Sequence, residues 1–179
     1  MPRDTEQDLL TERLRLRRPA AGDLSAVDRI HRTPAAIAHN PSDALAGPEA
    51  AQDLLRRWQD RWRSDGVGYW AVTERANPAV LGVCGVKPVR LSGAPVLNLF
   101  YRFDPAAWGR GFGTEAAIAV VGWVARIRPE QKLIARIRPD NTASARVAAN
   151  AGLVRAPELD AEGEDGPDHI WIYPDPPRQ

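Results

Sequence analysis

An α/β fold of the α+β kind, with a mixed central sheet of about seven strands and flanking helices, follows from three observations. In RLRLR, residues 13–17, leucine alternates with arginine, the mark of a half-buried strand. Three further strand candidates follow one another with only turn residues between them, which describes an antiparallel meander. The run AAIAVVGWVA, residues 116–125, is apolar almost all round and so predicts a helix buried on most sides. Taken along the chain, the expected order is β-α-α-β-β-β-α-β-α-β-β.

The first strand, 13–17, is closed by Pro19 and Gly22, and Asp23 is placed to cap a short helix carrying Leu24, Val27 and Ile30. Residues 33–47 hold Pro34 and Pro41 and read as irregular. Pro48 suits a first helical position, with Glu49 near the positive end of the dipole. Ala51, Leu54, Leu55, Trp58 and Trp62 then make one apolar stripe, and Gly66 and Gly68 end the helix. Strands are expected over 69–73, 80–86 and 96–103, with turns at Asn77-Pro78 and Ser92-Gly93. A buried helix follows over 114–126, then a strand over 132–137. The next helix spans 141–151, with Asp140 or Asn141 as cap and Gly152 as left-handed terminus. A strand from Leu153, a polar loop DAEGEDGPD, a strand over 169–173 and a frayed tail over 173–179 complete the chain.

Bulk properties narrow the function. The 179 residues suit one domain, 1–179, and 44% hydrophobic residues provide a sizeable core. Lys+Arg of 24 against Asp+Glu of 23 leaves +1, which argues against nucleic acid or an anionic membrane as partner. One cysteine, Cys84, excludes an internal disulfide. No apolar run reaches the roughly 18 residues of a membrane span, and MPRDTEQDLL lacks a signal-peptide core. A soluble, cytoplasmic protein is the expectation.

Within WGRGFGTEAA, Gly109, Gly111 and Gly113 stand between the end of a strand and the start of the most apolar helix. Such a start presents unpaired N–H groups and a partial positive charge. Glycines keep side chains out of its way and permit unusual backbone angles. The chemistry this serves is anion binding, above all of a pyrophosphate; a glycine-rich turn with no ligand is the plainer alternative. A dinucleotide fingerprint would need glycine where Thr114 stands, and a Walker loop needs a Gly-Lys pair that the chain lacks. Further on, Ser144, Val147, Ala148 and Ala151 share one helical face, apolar apart from Ser144. That hydroxyl requires a partner, and a back-bond to the carbonyl one turn earlier is the plain one.

Three stretches carry a family resemblance that covers essentially the whole chain. YRFDPAAWGRGFGTEA resembles the acyl-CoA pyrophosphate loop of the GNAT acetyltransferases, specifically of their RimJ/RimL branch. Gly111 and Gly113 match the second half of the Q/R-x-x-G-x-G/A motif, while Trp108 stands in the Q/R position. RPDNTASARVAANAGL is similar to that branch's N-x-x-S-x-x-V-A-x-x-x-G-F/L, and LTERLRLRRPAAGDL to its opening strand and helix. The resemblance implies the GNAT fold and acetyl-CoA as cosubstrate. It implies that Phe103, Trp108, Gly109, Arg110, Gly111, Phe112, Gly113 and Thr114 lie along the cofactor. It also implies that Asn141 contacts the pantetheine arm and that Ser144 assists the thiolate leaving group. The resemblance further implies that two central strands splay, with the backbone of 100–103 facing the thioester.

The sequence departs from the broader family twice: Ala148 stands where many members have an acidic tyrosine, and strand 96–103 has no carboxylate to act as base. Asn98 or Tyr101 could hold a water in its place, and Asp160 or Asp168 could reach in from the late loop. The acceptor roof carries Trp58, Trp62, His31, His39 and Trp171. Six carboxylates from Glu158 to Asp168 would attract a cationic amine, unless that segment is simply a solvated loop. Cys84 reads as a buried structural thiol, and His31, His39 and His169 have no metal-ligand spacing, so no metal is expected. The implied activity is direct transfer of acetyl to a primary amine, on a protein N-terminus or a small molecule. A non-catalytic acyl-CoA-binding module and a nucleotide-binding protein of another fold are the alternatives. Relatives of this fold often dimerise, and a homodimer is an expectation that no residue pattern decides.

Overall fold

The computed structural model describes residues 8–174. The strands are β1 Leu9–Leu10, β2 Leu14–Arg17, β3 Tyr69–Glu74, β4 Asn77–Leu91, β5 Ala94–Phe103, β6 Leu133–Ile137, β7 Val154–Arg155, β8 Ala161–Gly163 and β9 Gly166–Ile172. The helices are α1 Leu24–Arg32, α2 Pro34–Ile37, α3 Pro48–Asp65, α4 Phe112–Ile127 and α5 Thr142–Asn150. The sheet runs β1-β2-β3-β4-β5-β6-β9-β7, with β8 paired to β9. Every pairing is antiparallel except β5 with β6.

Strand alternation sends successive residues to opposite faces, and each face has its own helices. Leu16, Trp70, Cys84 and Leu99 face α4, where they meet Phe112, Ala116, Val120 and Trp123 in the main core. Tyr69, Val83 and Phe100 face α1 and α3 and pack on Val27, Leu55 and Trp58. Trp62 of α3 joins the main core: its ring lies 4.6 Å from Trp70, and its indole N–H donates to the Tyr69 carbonyl. Cys84 is fully buried and its thiol is pushed well above the ordinary range by that burial. No helix among the described residues is long and apolar enough to cross a membrane.

The structure corrects several local expectations. The turn after β3 falls at Arg75–Ala76, not at Asn77-Pro78, and both of those residues lie in β4. β4 runs five residues beyond Val86, through Pro88, to Leu91. A proline is tolerated there because β3 ends opposite Gly85 and leaves that side without a ladder. The expected turn at Ser92-Gly93 forms with φ of 49° and 81°, the two left-handed residues of a tight hairpin. Asp23 does not cap α1. Its carboxylate accepts the Ala20 N–H at 2.7 Å and pairs with Arg17 at 2.6 Å, fastening the turn before the helix. Residues 33–47, expected to be irregular, hold the single turn α2. The polar stretch 160–168 is not a loop but most of the β8–β9 hairpin, turning at Glu164–Asp165. Its charges are absorbed locally: Asp160 accepts the Ile170 N–H and pairs with Arg155, while Arg138 donates to the carbonyls of Asp165 and Gly166. Of the expected frayed tail, residues 175–179 lie outside the described residues.

Candidate functional site

The parallel pairing of β5 with β6 ends at Leu99 and Ala135, although β5 continues to Phe103 and β6 to Ile137. Asn98 stands at the fork, where its side-chain oxygen accepts the Arg136 N–H at 3.1 Å. A side chain on β5 thus satisfies the first donor of β6 that the parallel ladder leaves behind. Beyond it the strands diverge, and Phe100 and Arg102 on one wall face Arg136 and Arg138 on the other. These four residues line two cavities at once, one on each side of the gap.

The first is a cleft of about 440 Å³ between β5, β6, α5 and the mouth of α4. Its lining includes Trp108, Gly109 and residues 111–114. Gly109 and Gly111 take φ of 74° and 78°, the left-handed region, so glycine is required at both. Gly113 is different: it is already helical, and a Cβ there would meet Phe103 and Val147 at an ordinary 3.8 Å. Gly111 stands at the helix cap and has no side chain to cap with. The first helical donor to find a carbonyl is Glu115, bonded to the Gly111 oxygen at 3.1 Å. The N–H groups ahead of it are left for another acceptor.

This mouth is held from outside. The Trp108 indole N–H donates to the Phe103 carbonyl at 3.0 Å, tying the loop to the end of β5. Arg13 donates to the Arg110 carbonyl at 2.9 Å and to Glu115 at 2.7 Å. Arg110 itself turns away from the loop, stacking on Phe112 and pairing with Glu74. Burial alone would raise the Glu115 pKa, but hydrogen bonds from Thr11 and Arg13 bring it below the usual carboxylate value. The sequence does not single out Arg13 or Thr11 as site residues, since both come from the β1–β2 turn about a hundred residues away.

On the opposite wall Asn141 caps α5, its side-chain oxygen accepting the Ser144 N–H at 3.0 Å. The Tyr101 hydroxyl donates to the Ser144 carbonyl at 2.7 Å. Burial pushes the Tyr101 phenol well above its ordinary pKa, with Ser144 acting in the other direction. A Ser144 back-bond to the carbonyl one turn earlier is not formed among the described residues. Tyr101, Asn141 and Ser144 therefore share the first cleft, while Asn98 lines the second. His39 also borders the first cleft, 3.3 Å from Asp140.

The charge of the first cleft is one-sided. Arg102, Arg136, Arg138 and Arg146 line it and no carboxylate among the described residues does; of the four, Arg102 is paired with Asp43, and Arg136 and Arg138 with Asp168. Together with the positive end of α4, this lining suits a ligand with several negative charges.

The second cavity, about 470 Å³, lies under α1, α3 and the β8–β9 hairpin. Trp58 and His31 line it; Trp62 and Trp171 line neither cavity and belong to the core and its border. Burial, with Arg102 adding to it, pushes His31 down to about 4, so its ring is neutral. Of the six late carboxylates, Glu158, Asp160 and Glu162 stand outside both cavities. Asp168 is shared by Arg136 at 3.0 Å and Arg138 at 3.3 Å. The second cavity also contains Lys87, whose pKa is lowered by burial, with Arg61 and Arg136 adding to the effect against Asp43 and Glu164. A sequence clue to this cavity existed in Arg102, Arg136 and Arg138, which interrupt otherwise apolar strands. Among the described residues no cluster of His, Cys, Asp and Glu has the makings of a metal site.

A strand fork facing a bare helix mouth defines a class of fold, and the comparisons give it a family. The model of the acetyltransferase (GNAT) domain matches residues 13–154, and the chain belongs to that family. The uncharacterized protein YkkB of Bacillus subtilis is 30% identical over 151 residues, spanning 81% of this chain and 84% of that protein. An acetyltransferase from Agrobacterium tumefaciens superposes with a TM-score of 0.77 at 24% identity, covering 93% of this chain and 94% of its own. RimL, a ribosomal L7/L12 α-N-protein acetyltransferase solved with coenzyme A, superposes with a TM-score of 0.74 at 14% identity, covering 93% and 97%. The two solved structures are likenesses of fold.

Proposed function

We propose that this protein is an N-acetyltransferase of the RimJ/RimL-like branch that passes acetyl from acetyl-CoA directly to a primary amine in a ternary complex. The observation that carries the proposal is the first cleft: an uncapped helix mouth behind two left-handed glycines, with no carboxylate among its described lining residues. Those residues fit the pyrophosphate of CoA. The N–H groups from Gly109 to Thr114 would hold it through charge-assisted hydrogen bonds of about 1.5–3 kcal/mol each, and Arg146 stands at the same cleft. Trp108 borders the same cleft and holds the loop through its bond to Phe103. The backbone of 100–103 and the amide nitrogen of Asn141, whose oxygen serves the cap, would line the pantetheine arm.

Chemistry falls at the fork. The amine nitrogen attacks the thioester carbonyl carbon, the C–S bond breaks, and the sulfur leaves as thiolate. Ser144 stands on the donor side of the fork with a hydroxyl to protonate it, and Tyr101 steadies that helix turn through the Ser144 carbonyl. The proton lost by the amine passes to water, for which Asn98 and the second cavity provide the polar wall. No strong base is required if the amine enters neutral, and positioning across the fork contributes several kcal/mol by itself, on the order of the intramolecular advantage.

Acetyl transfer is tested by following free thiol release from acetyl-CoA over amines and N-terminal peptides, with calorimetry of CoA alone as a separate measurement. Ser144→Ala is expected to lower kcat about tenfold to a hundredfold with little change in the KM for acetyl-CoA. Unchanged turnover would remove Ser144 from the mechanism. CoA binding without transfer to any amine would favour a non-catalytic binding module.

A further inference from the structure

The second cavity is built for a negative charge. Six cationic side chains line it against four carboxylates, and three of the carboxylates are already engaged. Asp168 lies between two guanidinium groups. Asp165 accepts both the N–H and the hydroxyl of Ser42. Asp43 is bound by Arg102 Nη2 at 2.6 Å. Only Glu164, at the hairpin turn, is left without a hydrogen bond among the described residues. The cations are less fully matched. Arg57 and Lys87 have no ion-pair partner among the described residues, and Arg61 is paired only at 3.6 Å with Asp65, outside the cavity.

Arg102 supplies the specific feature. Its side chain is 5% exposed, its Nη2 holds Asp43, and its other terminal nitrogen, Nη1, is buried with no hydrogen-bond partner. An unmatched donor on a buried guanidinium is costly to keep. Its site explains the cost: Arg102 lines both cavities at the fork, two residues along the same strand face from Phe100 and four from Asn98. An anion accepting a hydrogen bond from Nη1 would lie close to an amine directed at the thioester.

Resting on the acetyltransferase function above, we propose that the acceptor is an amine that also carries a carboxylate, that the carboxylate is received by Arg102 Nη1 with Lys87 beside it, and that polycationic amines are excluded. The carboxylate can belong to a free amino acid or to an acidic residue at a peptide N-terminus; the cavity volume suits a ligand of small-molecule size.

The test compares matched acceptors with the full chain and saturating acetyl-CoA: L-amino acids, their carboxamides, the corresponding amines without the carboxyl group, and spermidine. Peptides beginning with Asp or Glu are set against those beginning with Asn or Gln. Carboxylate-bearing acceptors are expected to exceed their matched amides in kcat/KM by about tenfold or more, and the free and peptide arms reveal which source the site takes. Arg102→Gln is expected to raise the KM for the acid about tenfold and that for the amide less than twofold, collapsing the acid-to-amide ratio. Lys87→Met reads the same ratio from a second position should Arg102→Gln fail to fold. Equal or better turnover of amides, simple amines or spermidine overturns the proposal, as does the absence of transfer to every carboxylate-bearing acceptor. Either result leaves the donor site standing if CoA binds; failure of CoA to bind in calorimetry counts instead against the acetyltransferase function itself.

Discussion

The two cavities meet at one strand fork but are made of different materials. The first is built chiefly from backbone: a helix mouth, two left-handed glycines and the open edge of β5, with side chains such as Trp108 and Arg13 acting as fasteners. The second is built from side chains delivered by α1, α3, β4, β5, β6 and the β8–β9 hairpin. A backbone site recognises what every member of a family shares, because any sequence that keeps the glycines makes the same N–H array. A side-chain site can be rewritten residue by residue without disturbing the fold, and so determines the individual specificity.

The contrast can be broken first with pH. His31 is held neutral in the wall of the second cavity, with a folded pKa of about 4 against an ordinary 6.5. The unfolded chain therefore takes up this proton first, so the contribution is complete above pH 6.5 and is lost progressively as pH falls toward 4. Up to about 3 kcal/mol is at stake. His31→Phe is expected to flatten the wild-type decline in stability between pH 6.5 and 4 seen in denaturant titrations. CoA affinity, resting on backbone, should change far less over the same range.

Gly113→Asp probes the first cleft from within. The position is helical and has room for a Cβ, so the carboxylate should stabilise the first turn of α4 by about 0.3–1 kcal/mol. It would also occupy the place of the pyrophosphate, and a loss of CoA affinity of about a hundredfold is expected. A more stable protein with weakened CoA binding is a combination that general damage would not produce. Tyr101→Phe strips the Ser144 carbonyl of its donor and should cost about 1–2 kcal/mol of stability, with a fall in kcat larger than any change in acceptor KM. The smallest effect is expected of Trp108→Phe, which keeps the ring and loses only the bond to Phe103: about 1 kcal/mol, read as a few-fold weaker CoA binding.

Much of the fold was legible because it was written in local patterns. The apolar α4, the stripe on α3, the left-handed Ser92-Gly93 turn and the Asn141 cap all depend on neighbours within a few residues. Misread elements are those in which a distant partner intervened. Asp23 looks like a cap for α1 until Arg17 claims it. DAEGEDGPD looks like a solvated loop until Arg155 pairs with Asp160, Arg136 and Arg138 pair with Asp168, and the segment folds as a hairpin.

By itself, then, the sequence pointed to the family, the helix mouth, and Tyr101 and Ser144 among the hydroxyl-bearing residues of the first cleft, because short-range spacing governs backbone geometry. Tertiary structure alone decided that Tyr101 meets Ser144, that Asn98 holds open the fork, and that Arg102 is buried with one nitrogen unmatched. It also reversed the apparent charge of the second cavity. Six carboxylates in a row suggest a site for cations, but a charge acts on what lies within a few ångströms once its partners are in place. Here three of the six lie outside both cavities, and arginines from other strands dominate what remains.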